Sequence, residues 1–476
     1  MDILSLTKRG VLATAVATAM FVSGCAKEQS TEAKHAENEN KAVEAHAIKA
    51  EKGKEAEALV KSFSDMAYAG YSDSLEGAKK LQAAIDKFVA EPTEANLNAT
   101  KEAYKEARVP YSQTEVFRFD EGFVTKNDKR AIESVDAWEG QVNAWPLDEA
   151  LIDYVDGSHY EGEYKDKSNI INGDTIKVGS ESKDTADLTP ELLASMNEYG
   201  GSEANVTTGY HVIEFLLWGQ DLNGVGAGAG KRPVTDYSTE EGKCTNGPKV
   251  ADSTKTCTRR GQYLQAAAKL LVKDLEEMVA QWKPDSENTL RSDLLARAND
   301  NAVRQIMYEM GSLSLGELAS ERMQVALVVG STEDTHECFS DQTHTSYSMN
   351  AQGIKNIFQG GYNGKGGYGI KQYLLDMGKE KEASDLQAKF DATTGAFDTI
   401  VSETEKNDIH VDQMVGTVAQ AEKVGVSKEE QEKRRSWVAK AISDLQEQTQ
   451  SLEIAAASVG IDKLDSDGGT AFSEGK

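Results

Sequence analysis

Two side chains that could bind a metal ion stand three residues apart in the segment GYHVIEFLLWG, which spans residues 209–219. Residues at this spacing share one face of an α-helix, so His211 and Glu214 are expected to project together. An imidazole and a carboxylate are usable metal ligands, and the i, i+3 pair occurs in metal sites of helical bundles. The neighbouring residues are apolar, which predicts a buried helix in which both polar groups need partners. The alternative is a hydrogen-bonded structural pair without a metal.

A complete metal site needs further ligands, for which the sequence offers candidates outside this helix. They are Glu115, His336, Glu337, Asp341 and His344. The last four lie in a polar stretch, residues 332–349, where the histidines could instead be exposed, and Glu115 could instead pair with Arg118. Imidazole and carboxylate groups suit iron and other first-row ions. A catalytic zinc site would need three protein ligands and an open position, and the sequence contains no H-E-x-x-H motif.

Long helices are expected to position these residues. Only seven prolines occur, and Ala, Glu, Lys and Leu, which favour helix, dominate long stretches. Apolar residues at helical spacing predict three helices joined by short links before residue 110. The first begins at about residue 55, the second lies around residues 81–88, and the third spans residues 93–110. Further helices are predicted at about residues 207–218, 259–282, 290–329, 379–405 and 428–459. Residues 139–187 are less regular and are expected to form loops, short helical turns and a small hairpin. The predicted fold class is all-α, with two helical bundles at residues 53–230 and 231–460 and a flexible tail at residues 461–476.

The N-terminus has the layout of a bacterial signal peptide. Lys8 and Arg9 precede an apolar run, residues 10–22, which is too short to cross a bilayer because that requires about 20 apolar residues. The run ends in Val-Ser-Gly-Cys, which resembles a lipobox. Cys25 is therefore expected to carry a lipid at the end of a signal peptide spanning residues 1–25. The alternative is an ordinary cleavable signal peptide with a chance cysteine.

The residues after the signal peptide predict where the protein is anchored. Residues 26–52 hold almost no large apolar side chain and are predicted to be a disordered tether. Ala26 and Lys27 do not match the Asp-type signal that retains lipoproteins in the inner membrane. The sequence thus predicts a lipoprotein of the cell envelope, anchored in the outer membrane by its lipid and facing the periplasm.

The chain is strongly acidic, with 79 Asp and Glu residues against 52 Lys and Arg residues and a net charge of −27. This charge excludes nucleic acid and anionic membrane surfaces as partners of the protein body. It favours cations, although most of the acidic residues are expected on solvated helix surfaces.

Four cysteines are present, of which Cys25 is the predicted lipid attachment site. Cys244 and Cys257 flank a short polar stretch, and in an oxidising compartment they are expected to form a disulfide. Cys338 is then left as a free thiol or as part of a site.

The motif around His211 also carries a family resemblance. GYHVIE at residues 209–214 is similar to the GxHxxE signature of the imelysin-like proteins, which are also classified as M75 peptidases and include the cyanobacterial iron-regulated protein A. Three further stretches resemble the same family: YSQTEVFRF at 111–119, VNAWPL at 142–147 and ECFSDQTH at 337–344. The resemblance extends from about residue 55 to residue 455. It implies two helical bundles that face each other, with the signature helix at a central cleft.

The resemblance implies an envelope protein of iron acquisition, and three functions are open. The first is binding of iron or an iron chelate at His211, Glu214 and further carboxylate or His ligands, with an envelope iron-transport component as a possible partner. The second is a zinc metallopeptidase that uses the same pair, although the motif shared with other metallopeptidases is HxxE alone. The third is a partner-binding lipoprotein without a metal.

Overall fold

The computed structural model describes residues 53–118, 135–158, 160, 162–165, 168–178, 181–298, 302–461 and 464. The predicted signal peptide with Cys25 and the predicted tether at residues 26–52 lie outside the described residues. So does the predicted tail, except for Ile461 and Leu464. These three assignments stay predictions.

The described part of the chain is helical, as predicted, and its strands form three short hairpins. The α-helices are α1 (Lys54–Ala90), α2 (Glu94–Thr114), α3 (Val135–Asn143), α4 (Glu149–Ile152), α5 (Pro190–Met196), α6 (Gly209–Trp218), α7 (Lys255–Trp282), α8 (Leu290–Ala296), α9 (Ala302–Gly311), α10 (Val325–Val329), α11 (Thr343–Gln359), α12 (Ile370–Asp376), α13 (Glu380–Asn407), α14 (Val411–Val415), α15 (Val418–Lys423) and α16 (Lys428–Ser458). Glu115–Phe117 and Val234–Tyr237 form 3₁₀-helices, and Ser312–Gln324 forms a π-helix. The antiparallel strand pairs are β1 (Thr175–Val178) with β2 (Glu181–Asp184), β3 (Thr245–Asn246) with β4 (Lys249–Val250), and β5 (Gly361–Tyr362) with β6 (Lys365–Gly366).

Helix α1 is one continuous helix where the sequence predicted two joined by a short link. It packs against α2 and against α7, and α6 lies against α7. The apolar residues of α1 recur at helical spacing and are buried, among them Leu59, Phe63 and Met66. The ring of Phe63 makes edge-on contacts with Phe117 and with Trp282 at the end of α7. This packing explains why the sequence pattern locates these helices well, since the apolar stripe is what each helix buries.

Helix α2 continues past the proline that was predicted to end it. Thr93 caps the helix by accepting a hydrogen bond from the backbone N–H of Asn96 at 3.2 Å, and the helix runs through Pro110 to Thr114. Tyr111, just beyond the proline, is buried. Tertiary packing of this last turn outweighs the local cost of the proline.

A second core forms where the π-helix, α13, α14 and α16 pack together, and α11 joins them to α2. The single helix predicted over residues 290–329 is wrong, because the structure divides this run into α8, α9, the π-helix and α10. The π-helix has a wider turn than an α-helix, so residues five apart share a face. Arg322 accordingly donates to Glu317 at 3.0 Å. The division of the chain into two bundles near residue 230 stays a prediction.

The predicted disulfide is confirmed. Cys244 and Cys257 are bonded, with their Cα atoms 5.9 Å apart, and they join the segment before β3 to the first turn of α7. Cys338 is a free, buried thiol. No helix in the described ranges combines the length and apolar character needed to cross a bilayer.

Candidate metal site around His211

Helix α6 carries the two signature side chains into the protein interior. All ten of its residues are buried, because apolar side chains surround His211 and Glu214. The helix begins at Gly209, whose φ of +85° lies in the region that favours glycine. A Cβ atom at this position would overlap the backbone carbonyl of Val142 in α3. The glycine of the signature therefore lets α6 begin in direct contact with α3.

The side chains of His211 and Glu214 lie next to each other, and neither is exposed to solvent. The Nδ1 atom of His211 is 3.1 Å from the Oε2 atom of Glu214. When Glu214 is ionised, Nδ1 donates its hydrogen to this oxygen, and the lone pair of the neutral ring is on Nε2. Nε2 is buried and has no hydrogen-bond partner among the described residues. An imidazole oriented in this way by a carboxylate is the usual arrangement of a metal-binding histidine.

Glu214 is held by residues from two other segments. Its Oε1 atom accepts hydrogen bonds from the backbone N–H of Ser340 at 2.9 Å and from the hydroxyl of Ser340 at 2.6 Å. Its Oε2 atom lies 3.3 Å from the hydroxyl of Tyr104. Burial raises the pKa of Glu214 to about 7, although the hydrogen bonds from Ser340 oppose the rise. Glu214 can therefore change its protonation state near neutral pH.

A second buried carboxylate, Glu337, shares the Tyr104 hydroxyl at 3.2 Å. This hydroxyl has one hydrogen, so it donates to only one of Glu214 and Glu337 at a time. The Nε atom of Arg108 donates to Glu337 in a fully buried ion pair. The Nη1 atom of Arg108 donates to Asn143 at 2.7 Å. Burial raises the pKa of Glu337, and the positive charge of Arg108 opposes the rise.

His336 supplies a second imidazole. Its ring centre is 5.2 Å from that of His211. The ring of Trp145 packs against both, with its centre 5.9 Å from that of His336 and 4.8 Å from that of His211. The Nδ1 atom of His336 is also buried and has no hydrogen-bond partner within the described ranges. Burial lowers the pKa of His211 to about 3 and that of His336 well below its usual range. Both rings are therefore neutral at pH 7, which is the form that binds metal ions.

Glu115 lies in an ion-pair cluster with arginine partners. It accepts hydrogen bonds from Arg322 at 2.7 Å and from Asn350 at 3.0 Å, and Arg118 lies 3.9 Å away. Burial alone would raise the pKa of Glu115, but Arg322 and Arg118 lower it to about 2. Because arginines already neutralise this carboxylate, it has no need of a bound cation. The structure thus shows the ion pair that the sequence left open as the alternative.

Asp341 and His344 lie among other groups. One carboxylate oxygen of Asp341 lies within 4.8 Å of one oxygen from each of Asp221 and Asp412. The ring centre of His344 is 6.1 Å from that of His410, and its Nδ1 atom is buried without a hydrogen-bond partner among the described residues. Burial raises the pKa of Asp341 to about 6 and lowers the pKa of His344 to about 4. The polar stretch that carries both residues is largely buried, so its histidines do not take up the exposed alternative.

The sequence model of the imelysin family, peptidase M75, matches residues 67–452. The chain belongs to the imelysin family. Among solved structures, this imelysin is similar to a precursor of iron-regulated protein A from Parabacteroides distasonis, with 16% identity, a TM-score of 0.55, and coverage of 85% of this chain and 96% of that one. An imelysin-like protein from Psychrobacter arcticum shares 11% identity with a TM-score of 0.49, covering 83% of this chain and 93% of that one. No curated protein matches the sequence. The resemblance seen in the sequence motifs is confirmed, and the first of these structures supports the helical fold.

Of the candidates that the sequence offered, the imelysin structure gathers His336 and Glu337 beside the signature pair. Glu115, Asp341 and His344 lie among the other groups described above. Within the described ranges, one group brings three or more His, Cys, Asp or Glu ligand atoms within 4.8 Å of one another, and it consists of Asp221, Asp341 and Asp412. His211 and its described neighbours do not form such a group. The two imidazoles are therefore a pair of available ligands rather than a complete coordination sphere.

Sequence reasoning did not single out Tyr104 and Arg108, which hold the carboxylates of the site. A signal for them exists in the spacing along α2. Arg108 stands four residues after Tyr104 and three residues before Tyr111, on a face that is otherwise apolar. A charged residue on such a face needs a buried partner of opposite charge.

Proposed function

We propose that this imelysin binds iron at His211 and His336, as part of iron acquisition at the cell envelope. The observation that supports this most directly is the pair of unpartnered ring nitrogens, Nε2 of His211 and Nδ1 of His336, on neighbouring buried rings. A buried polar atom without a partner costs about 1–3 kcal/mol. A metal ion bound to these nitrogens would remove that cost, and imidazole nitrogen suits iron.

The surrounding carboxylates act on the imidazoles rather than as free ligands. Glu214 accepts from Nδ1 of His211 and so keeps the lone pair on Nε2. Glu214 already accepts hydrogen bonds from Ser340 on one oxygen and from Nδ1 of His211 on the other. The two oxygens of Glu337 face Arg108 and the Tyr104 hydroxyl. Two nitrogens do not complete the coordination of a first-row metal ion. The proposed ligand is therefore iron held in a small chelate, whose own donor atoms fill the remaining positions.

A zinc peptidase is the second candidate. The observation that favours it is the pKa of Glu214 near 7, which suits a general base at neutral pH. A catalytic zinc site needs three protein ligands and an open position, and the described site offers two available nitrogens. The iron-binding proposal therefore agrees better with the arrangement of these residues.

Anchoring by a lipid on Cys25 is part of the proposal and rests on the lipobox motif. Metabolic labelling with a fatty acid should mark the parent protein, and the Cys25→Ser variant should lose both the label and its place in the outer-membrane fraction. An unlabelled parent protein would overturn the anchoring.

Metal analysis of the purified protein tests the binding function. The protein is stripped with a chelator and titrated with ferric citrate, and the bound iron is measured by elemental analysis. We expect His211→Ala and His336→Ala each to weaken iron binding by roughly tenfold or more, since even an outer partner of a metal ligand changes affinity about 10–100-fold. His344→Ala removes a buried histidine whose ring lies beside that of His410, and it should bind like the parent.

The outcomes separate the candidate functions. Equal iron binding by the parent and both variants would overturn the proposal, provided that circular dichroism shows folded variants. Zinc that co-purifies, together with hydrolysis of peptides that is lost in Glu214→Gln, would favour the peptidase. A parent protein that binds neither iron nor zinc would favour a partner-binding lipoprotein without a metal.

A further inference from the structure

Three aspartates from distant parts of the chain converge at a second place, the acidic cluster. Asp221 follows the end of α6, Asp341 precedes α11, and Asp412 lies in α14. One oxygen from each carboxylate lies within 4.8 Å of the other two. Since the three segments are brought together only by the tertiary fold, this cluster is not the solvated face of a single helix.

The burial of Asp412 makes the cluster unusual. This residue is 2% exposed, and its Oδ1 atom accepts a hydrogen bond from the Thr335 hydroxyl at 2.8 Å. Its Oδ2 atom is buried and has no hydrogen-bond partner in the described part of the chain. Because Oδ1 is already bonded to Thr335, Oδ2 is the oxygen left for a ligand. A buried carboxylate oxygen without a partner calls for a proton or a cation.

The charged groups around the cluster do not supply that cation. Glu333 adds a further acidic group, which interacts unfavourably with Asp221 and Asp412. On the positive side, His410 lies 3.9 Å from a carboxylate oxygen of Asp341, and Lys231 interacts with Asp221 from an exposed position. Neither basic group makes an ion pair with Asp412, which therefore keeps an uncompensated oxygen.

The carboxylate of Asp221 is held in place at the edge of the cluster. The Oδ1 atom of Asp221 accepts hydrogen bonds from the backbone and side-chain N–H groups of Asn223 at 2.8 and 2.6 Å, which fixes the carboxylate. Leu222, next to Asp221, is 55% exposed, so the cluster borders the protein surface on this side. An ion could enter there, and water could complete its coordination.

We propose that Asp221, Asp341 and Asp412 bind a hard divalent cation, best matched by Ca²⁺. The three ligands offer oxygen only, which Ca²⁺ prefers and which separates this cluster from the imidazoles around His211. Ca²⁺ binds oxygen at about 2.3–2.6 Å, so oxygens on opposite sides of one ion are about 5 Å apart. A single Ca²⁺ ion can therefore contact three oxygens that all lie within 4.8 Å of one another. Its irregular coordination also tolerates ligands from three unrelated segments.

Calorimetric titration with CaCl₂ tests this site. The purified full-length protein is stripped with EDTA, and heat release and thermal unfolding are measured with and without Ca²⁺. We expect the parent to bind Ca²⁺ and to unfold at a higher temperature in its presence. Asp412→Asn should weaken Ca²⁺ binding by roughly tenfold or more. Without Ca²⁺ the same variant should be at least as stable as the parent, because the substitution removes one of the repelling carboxylates.

Two matched variants make the test specific. Asp274→Asn changes another buried aspartate, in α7, which accepts a hydrogen bond from Gln141, and it should bind Ca²⁺ like the parent. His211→Ala removes the proposed iron ligand and should also keep Ca²⁺ binding, so failure of the iron proposal leaves this one standing. If Asp412→Asn does not fold, Asp221→Asn replaces a carboxylate nearer the surface and should show the same loss.

Three results would overturn the proposal. The first is a parent protein that gives no heat and no thermal shift with Ca²⁺, which would assign a shared proton to the cluster instead. The second is Ca²⁺ binding that is unchanged in a folded Asp412→Asn or Asp221→Asn variant. The third is loss of Ca²⁺ binding in His211→Ala, which would place the ion at the other site.

Discussion

The ion pair between Arg108 and Glu337 offers a sharp test of the network behind His211. The Arg108 and Glu337 side chains are 1% and 0% exposed, so water screens neither charge. Arg108→Met removes the positive partner and leaves a buried carboxylate. Breaking a buried pair in this way costs about 3–5 kcal/mol. We therefore expect the free energy of unfolding to fall by roughly that amount at pH 8.

The loss should depend on pH in a defined direction. Burial already raises the pKa of Glu337 against the opposing charge of Arg108, so removal of the arginine raises the pKa further. An acid whose folded-state pKa lies above its unfolded value destabilises the protein when it is ionised. The penalty in Arg108→Met is therefore largest at high pH and shrinks as the pH falls through the raised pKa of Glu337. Each unit of added pKa shift accounts for about 1.4 kcal/mol.

Urea unfolding followed by circular dichroism at pH 8 and pH 5 measures both effects. Arg291→Met is the matched control, because its partner Asp65 is partly exposed and such pairs contribute about 0–1 kcal/mol. The double variant Arg108→Met with Glu337→Gln should recover part of the loss, since it leaves no buried charge. Equal losses in Arg108→Met and Arg291→Met, or a loss in Arg108→Met that is the same at both pH values, would refute the reasoning.

Three further predictions concern the signature glycine, the disulfide and the pH dependence of stability. Gly209→Ala should lower the free energy of unfolding by about 1–3 kcal/mol, because the φ of Gly209 is positive and an added Cβ atom would meet backbone. Gly395→Ala, in an exposed helical position with free space, should raise the free energy of unfolding by up to about 1 kcal/mol. Urea unfolding compares the two variants, and an equal effect would contradict the role given to the close contact at Gly209. Replacing Cys244 and Cys257 together by Ser should lower the free energy of unfolding by about 3 kcal/mol, as expected for a loop of 13 residues. Peptide mapping of the parent without reduction should recover the linked pair of peptides, and two free thiols would disprove the bond. The folded-state pKa of His211 is lowered to about 3, below its unfolded value of about 6.5, so the protein should lose stability as the pH falls from about 6.5 towards 3. In urea titrations a His211→Gln variant should lose less stability than the parent over this pH interval. An unchanged dependence of stability on pH in this variant would contradict the buried neutral ring.

The sequence by itself determined the helices and the local pairings. Helical spacing of apolar residues located α7, α13, α16 and the two halves of α1, because each helix buries the stripe that the pattern marks. The pairing of His211 with Glu214 also follows from spacing, since residues three apart on a helix share a face. The disulfide followed from cysteines that are close in the chain. Errors arose where packing outweighed local preference, at Pro110 and in the run from residue 290 to residue 329.

Only the tertiary structure decided which distant side chains meet. Spacing along one helix carries no information about the helix packed against it, so the sequence could not tell that His336 lies beside His211. For the same reason the sequence could not tell which of the candidate ligands Glu115 and Asp341 has a positive partner, since both are simply acidic residues. Packing placed Glu115 among arginines, which neutralise it, and placed Asp341 among aspartates, which leave a negative charge to be balanced. The charge of a side chain is local, whereas its need for a cation depends on the neighbours that the fold provides.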